Sequence, residues 1–169
     1  QNCERSGLIE SVITYNGLSL NDQSKRSLTV APFYWYRVLT VDGIWDEEVR
    51  FETHVKPHQH GASSGDAYYN GKTLVISGNI YALNVGYLRQ AQRALQAAFY
   101  DMQDHELGFH LWGEGNVYIT CRKNQKIDMP ETQDRGGSRP WVRPFTVQLW
   151  ADDPRMYGAG TTVAIPAFQ

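Results

Sequence analysis

His54, His58 and His60 in HVKPHQH are the side chains best spaced to hold a metal, because neutral imidazoles this close in sequence can converge on zinc or nickel. Neither a cysteine nor a firmly placed carboxylate stands beside them to complete a closed site, and Pro57 marks an exposed loop. A metal-free loop is the simpler reading, and no cofactor is expected. His105 and His110, flanking the end of the one helical segment and the strand after it, read as structural.

Glycosidase chemistry needs two acids facing each other across a cleft. The acids here are adjacent instead: Asp46, Glu47 and Glu48 follow the turn-like VDGIW, and Asp152 and Asp153 precede Pro154, where aspartates cap and initiate turns. The chain has no GxSxG elbow, P-loop, dinucleotide fingerprint or HExxH, and GEGN at 113–116 reads as a hairpin turn rather than a phosphate loop. No catalytic residue is assigned and the chain is not expected to be an enzyme. Phe33, Tyr34, Trp35 and Tyr36 form an aromatic run whose alternation puts half in a core and half outward, as a subunit contact in preference to a sugar platform. Cys3 and Cys121 are too few for a disulfide framework and are expected as free thiols.

The elements that position these groups are mostly strands. Segments 8–15, 33–41, 48–55, 72–83, 115–122 and 141–151 are rich in Val, Ile, Thr, Tyr and Trp. Leu74, Ile76 and Ile80 share a face, as do Val117, Ile119 and Cys121, and Phe145, Val147 and Leu149; these three runs are the expected core. Leu88, Ala91, Leu95, Phe99 and Met102 instead recur at helical spacing, with Arg89, Gln92, Arg93 and Gln96 opposite. One amphipathic helix over about 86–103, with Asn84 as N-cap, is predicted to cover an open side of a β-sandwich. The fold class is therefore mainly β, a β-sandwich with one flanking helix and long loop or hairpin arms, the arms being Lys56 to Asn70 and Asn124 to Pro140.

With 169 residues and 41% hydrophobic content, one domain with a sizeable core is expected. Residues 1–158 form the domain, and 159–169 an extension or the start of a linker. A net charge of -2 gives no drive toward nucleic acid, and no apolar run approaches a membrane span. The charge is uneven. Asp42, Asp46, Glu47, Glu48 and Glu52 stand against Arg50, whereas residues 122–143 carry Arg122, Lys123, Lys126, Arg135, Arg139 and Arg143 against Asp128, Glu131 and Asp134. An acidic edge and a basic arm on one chain suit head-to-tail association, so Asp46, Glu47, Glu48, Glu52, Arg135, Arg139 and Arg143 are the candidate assembly residues.

The order of motifs resembles the N-terminal ring-forming domain of siphophage distal tail proteins, a family related to phage tail tube proteins. The likeness runs through LIESVITYNGLSL, YYNGKTLVISGNIYAL and FTVQLWADDPRMYG, and is carried by Tyr69, Gly71, Lys72, Gly78, Asp153, Pro154 and Tyr157. It implies a homohexameric ring in the virion, assembled in the host cytoplasm and joining the tail tube to the tail tip or baseplate. Its implied partners are the tail tube protein, a tail-tip or hub protein and the tape-measure protein, with no membrane. It also implies a lumen through which DNA passes without tight binding; the further C-terminal domain common in the family is not expected here. A tail tube subunit is the near alternative, and a carbohydrate-binding β-sandwich using Trp35, Trp45 or Trp112 is the alternative from another class. Each phosphate neutralised by a conduit would add salt-dependent affinity and slow transit. The ring is accordingly expected to leave duplex DNA unretarded in gel electrophoresis at physiological salt; a saturable shift would count against a conduit.

Overall fold

The computed structural model describes residues 11–46, 48–55, 62–111, 115–131 and 141–158, with the backbone alone at 51–55 and 62–68. Its strands are β1 (Ile13–Tyr15), β2 (Leu18–Leu20), β3 (Tyr34–Asp42), β4 (Val49–Val55), β5 (Ala62–Tyr69), β6 (Lys72–Ala82), β7 (His105–Leu111), β8 (Gly115–Lys123), β9 (Trp141–Ala151) and β10 (Tyr157–Gly158). Among the described residues one α-helix, α1 (Val85–Ala98), lies between β6 and β7, and a short 3-10 turn, Gln23–Lys25, lies between β2 and β3.

Strand order in the main sheet is β2-β1-β7-β8-β9-β6-β3, with β10 added to β8, so the expected mainly β, sandwich-like fold with a flanking helix is what forms. β8 joins the two halves. Its first seven residues pair with β7, and Arg122 and Lys123 then pair with Trp150 and Leu149 of β9, as a strand does where it turns the corner between layers. At the far ends the Asn21 amide donates to the Tyr36 carbonyl at 2.8 Å, so the sheet is nearly closed.

The spine is the pairing of β6 with β9, unbroken from Lys72↔Ala151 to Ala82↔Trp141. Their alternation turns Leu74, Ile76, Ile80, Phe145, Val147 and Leu149 inward, where all six are buried, as are Val117, Ile119 and Cys121 of β8. Pro144 fits because its missing N–H falls on the edge of β9 away from β6; on that edge Thr146 exchanges two hydrogen bonds with Asp128.

Asn84 caps α1 by accepting from the Tyr87 amide at 3.0 Å. Leu88, Ala91, Leu95 and Phe99 face the core, and the Tyr36 hydroxyl donates to the Ala91 carbonyl at 2.6 Å. The helix ends at Ala98, short of the expected Gln103. Asn16 Nδ2 donates to the Ala98 carbonyl, Phe99 stacks on Tyr15 with centroids 4.4 Å apart, and the chain leaves. Met102, which the spacing places on the apolar face, is consequently 72% exposed. Gln92, expected on the outer face, is buried, because a helix gripped by strands on several sides buries more than a narrow stripe.

Two further corrections concern strands. Most of the expected arm 56–70 is β5, which pairs with β4 from Val49↔Tyr69 to Val55↔Ala62 in a separate two-stranded sheet. The sequence ASSGDAYY carries weak strand propensity, and the antiparallel partner supplies the order. Strand β7 also goes unread in the sequence, although Leu107, Phe109 and Leu111 alternate inward.

The helix boundary predicts a contrast in stability. Leu95→Ala should cost about 2–5 kcal/mol, while Met102→Ala should stay within about 0.5 kcal/mol, both read as urea midpoint shifts at constant m. Equal losses would mean that the helix runs on to Gln103.

Candidate assembly surfaces

Lys72 occupies an inward position at the start of β6, where the alternation would otherwise bury a bare charge. It is 6% exposed, and its Nζ donates to the Ile44 carbonyl at 2.5 Å. That bond ties the turn after β3 to β6. Next to it Gly71 lies under Trp150, since a Cβ there would fall 2.5 Å from the indole. Gly78 lies where β3 bulges between Val38 and Thr40, and a Cβ there would meet the Arg37 carbonyl oxygen at 2.1 Å.

Asp153 organises the other end. It accepts from the Arg155 amide at 3.1 Å, from Arg155 Nε and a second guanidinium nitrogen at 2.9 Å each, and from the Tyr157 hydroxyl at 2.5 Å. The Arg155 bonds lead in pulling its pKa from 3.8 to about 2. Tyr157 is thereby held over Tyr118, with centroids 5.7 Å apart, and β10 pairs with β8. Asp152 accepts from Trp150 Nε1 at 2.6 Å and from Arg122, which also reaches Asp104 at 3.3 Å; the Trp150 bond leads in lowering its pKa. Glycoside cleavage needs one carboxyl held protonated near neutrality, and this pair is pushed the opposite way. The adjacent aspartates fasten the end of β9. Six of the residues that carry the family resemblance are thus structural, or neighbours of such residues: Gly71, Lys72, Gly78, Asp153, Pro154 and Tyr157.

The aromatic run divides differently from a simple in-and-out strand. Tyr36 is in the core with Tyr34 beside it, their rings 5.7 Å apart. Trp35 points the other way yet is only 7% exposed, stacked on Tyr81 with the Arg26 guanidinium 6.0 Å from its centroid. Trp35 and Tyr36 are thus covered, one from each half of the run, while Phe33 and Tyr34 remain half-buried. Trp45 is 66% exposed, and Trp112 lies outside the described residues.

Asp42, Asp46, Glu48 and Arg50 are exposed around the root of the β4–β5 hairpin. Glu47, Arg135 and Arg139 lie outside the described residues, and Glu52 is placed only by its backbone in β4. Arg143 departs from expectation: it sits on the inward face of β9 opposite Ile80 and is 4% exposed, so it offers no free basic edge. Of the basic segment, Lys126 is exposed and Lys123 half-buried, whereas Arg122 is committed to Asp152 and Asp104. His54 pairs with Ser63 through the backbone, and His58 and His60 are not described. His105 bonds Asp101 at 2.8 Å and His110 bonds Asn116 at 3.0 Å, both local contacts. Among the described residues no group of three or more His, Cys, Asp or Glu is placed to hold a metal, and no helix is long and apolar enough to cross a membrane. Cys121 is a free buried thiol whose pKa burial pushes up to about 12, which leaves it protonated and unreactive; Cys3 is outside the described residues.

A nearly closed β-sandwich with a helix over one side and a separate hairpin arm is the architectural class these features define. Among solved structures the chain is similar to the Dit protein of phage SPP1, described as a paradigm of the hub adsorption apparatus in phages that infect Gram-positive bacteria. The TM-score is 0.58 at 15% identity over 88% of this chain, which spans about half (52%) of that protein's length. No family model matches the chain, and no curated protein matches it.

The Asp153 contacts predict a pH dependence. Because its folded pKa lies below the unfolded one, its contribution is complete above about pH 4 and is lost as pH falls toward about 2. Asp153→Asn should cost on the order of 1 kcal/mol or less at neutral pH, given its solvent exposure, and should flatten the acid limb of the stability curve. Gly78→Ala should cost about 1–3 kcal/mol or more, whereas Ser77→Ala, outward on the same strand, should cost far less. Chemical denaturation across pH 2–7 reads both effects; a Gly78→Ala protein as stable as its parent would refute the close approach.

Proposed function

We propose that this chain is a structural subunit of a bacteriophage tail that assembles into a hexameric ring between the tail tube and the tail tip or baseplate. The observation that carries this reading is the shared fold with SPP1 Dit over nearly the whole chain. The β4–β5 hairpin supports it, because among the described residues this two-stranded sheet pairs with no other strand, and such edges suit a neighbouring subunit. The proposed partners are further copies of the chain, the tail tube protein, a tail-tip or hub protein and the tape-measure protein. The proposed location is the virion, after assembly in the host cytoplasm. The role is mechanical: the ring surrounds the channel for DNA, holds no cofactor and performs no reaction.

Light scattering of the purified chain should give six times its 19.3 kDa protomer mass, with ring-shaped particles in negative stain. A monomer at every concentration, particularly one that binds glycans on an array, would overturn this reading in favour of a carbohydrate-binding module. Stacked tubes in place of single rings would assign the chain to the tail tube.

A further inference from the structure

The root of the hairpin arm presents apolar side chains within an acidic rim. Asp46 donates its amide to the Gly43 carbonyl, the Ile44 carbonyl is held by Lys72, and the Asn70 amide donates to the Glu48 carbonyl, so 43–49 runs beside 69–73. Trp45, Val49 and Tyr69 emerge from this one corner and all are exposed, Val49 and Tyr69 being directly paired. Asp42, Asp46 and Glu48 surround them, with Arg50 the lone exposed cation of that stretch. A tryptophan anchor in a polar rim is the anatomy of a subunit contact.

The register locates a surface of opposite charge. Asp42 pairs with Val75, Val75 with Gln148, and the Gln148 carbonyl accepts from the Asn124 amide. The acidic corner and the segment bearing Lys123 and Lys126 therefore lie at one level on opposite edges of the β3–β6–β9 layer, about 15 Å apart at ordinary strand spacing. Within one chain β6 and β9 stand between them, and each charge can find its complement in another copy. Unlike edges at a common level produce a heterologous contact, which closes into a ring when the rotation allows.

We propose that the Trp45–Val49–Tyr69 corner, with Asp42, Asp46 and Glu48, receives the Lys123–Lys126 edge of a second copy of this chain. This rests on the ring reading and names the contact that builds the ring. The occupant is a second copy because this chain itself carries the complementary edge at the matching level.

A charge swap in the full-length chain tests the contact. D46K/E48K alone and K123E/K126E alone should each fail to assemble, since each sets like charges against one another. Mixed in equal amounts they should assemble in alternation, because every contact again joins unlike edges. Trp45→Ala should raise the concentration needed for assembly at least tenfold. All the substituted side chains are at least partly exposed, and circular dichroism checks each fold; if a reversal perturbs it, D46N/E48Q and K123Q/K126Q take its place and should weaken assembly. If the parent forms rings and the variants assemble like it, this contact is wrong and the ring reading stands. Separate failures that mixing does not repair would overturn the pairing of these two edges. A parent that never self-associates, even one that binds a different protein, would overturn the contact and the ring together.

Discussion

β6 and β9 face each other residue for residue from Lys72↔Ala151 to Ala82↔Trp141, without a bulge, and slippage by one position would turn Leu74, Ile76, Ile80, Phe145, Val147 and Leu149 out to solvent. Each of those side chains is worth roughly 1.5–3 kcal/mol when buried, so the register is fixed far more firmly than any single hydrogen bond could fix it. Other features take their positions from this pair. β3 adds to one edge of β6, with the bulge that Gly78 permits; α1 follows the end of β6; and Lys72, at its start, holds the turn that leads to the hairpin arm.

What the main sheet does not absorb is equally informative. Among the described residues β4 and β5 pair only with each other, and they leave the sandwich between two anchored points, the Lys72–Ile44 bond and the Asn70–Glu48 bond. An arm rooted this firmly can differ from the core in composition, and its Gly- and Ser-rich strand is paired along its length with β4. The end of β9 is fastened by a different means, with Asp152 and Asp153 drawing Trp150, Arg122, Arg155 and Tyr157 into a local knot that carries the chain across to β10.

Legibility in the sequence follows burial. The strand Trp141–Ala151 can be read to the residue and Lys72–Ala82 to within one, because both alternate strictly and both are covered on one face. The helix could be read in kind but not in length: Met102 continues the period after Asn16 and Phe99 have already ended the helix, and contacts from distant strands do not register in a local pattern. β5 was hidden by weak propensity, while β7 was hidden by the two histidines and the glycine that interrupt its apolar alternation. The inward turn of Arg143 and the cover over Trp35 depend on the three-dimensional surroundings of single positions, and neither the charge nor the ring announces it. Conversely Lys72, Gly78 and Asp153 were legible as parts of a family motif before their work was visible: one buried amine, one close backbone approach and one clamped carboxylate.

The placement of charge links this framework to the proposed assembly. The ten outward positions of β6 and β9, Thr73, Val75, Ser77, Asn79, Tyr81, Val142, Pro144, Thr146, Gln148 and Trp150, include no charged side chain. The charges that flank this layer stand at its margins, with Asp42, Asp46 and Glu48 beyond β3, and Lys123 and Lys126 beside Asp128 beyond β9. A broad face without charge has little electrostatic preference for orientation, whereas margins of opposite sign specify both which edges meet and in what sense they run. If association is decided at margins, the long inner pairing matters for a second reason: it sets the separation and the common level of the two edges, and so the angle at which one copy hands on to the next. A shift of β9 against β6 would expose the core side chains and move the two edges out of level together, which ties the register of the core to the geometry of the proposed contact.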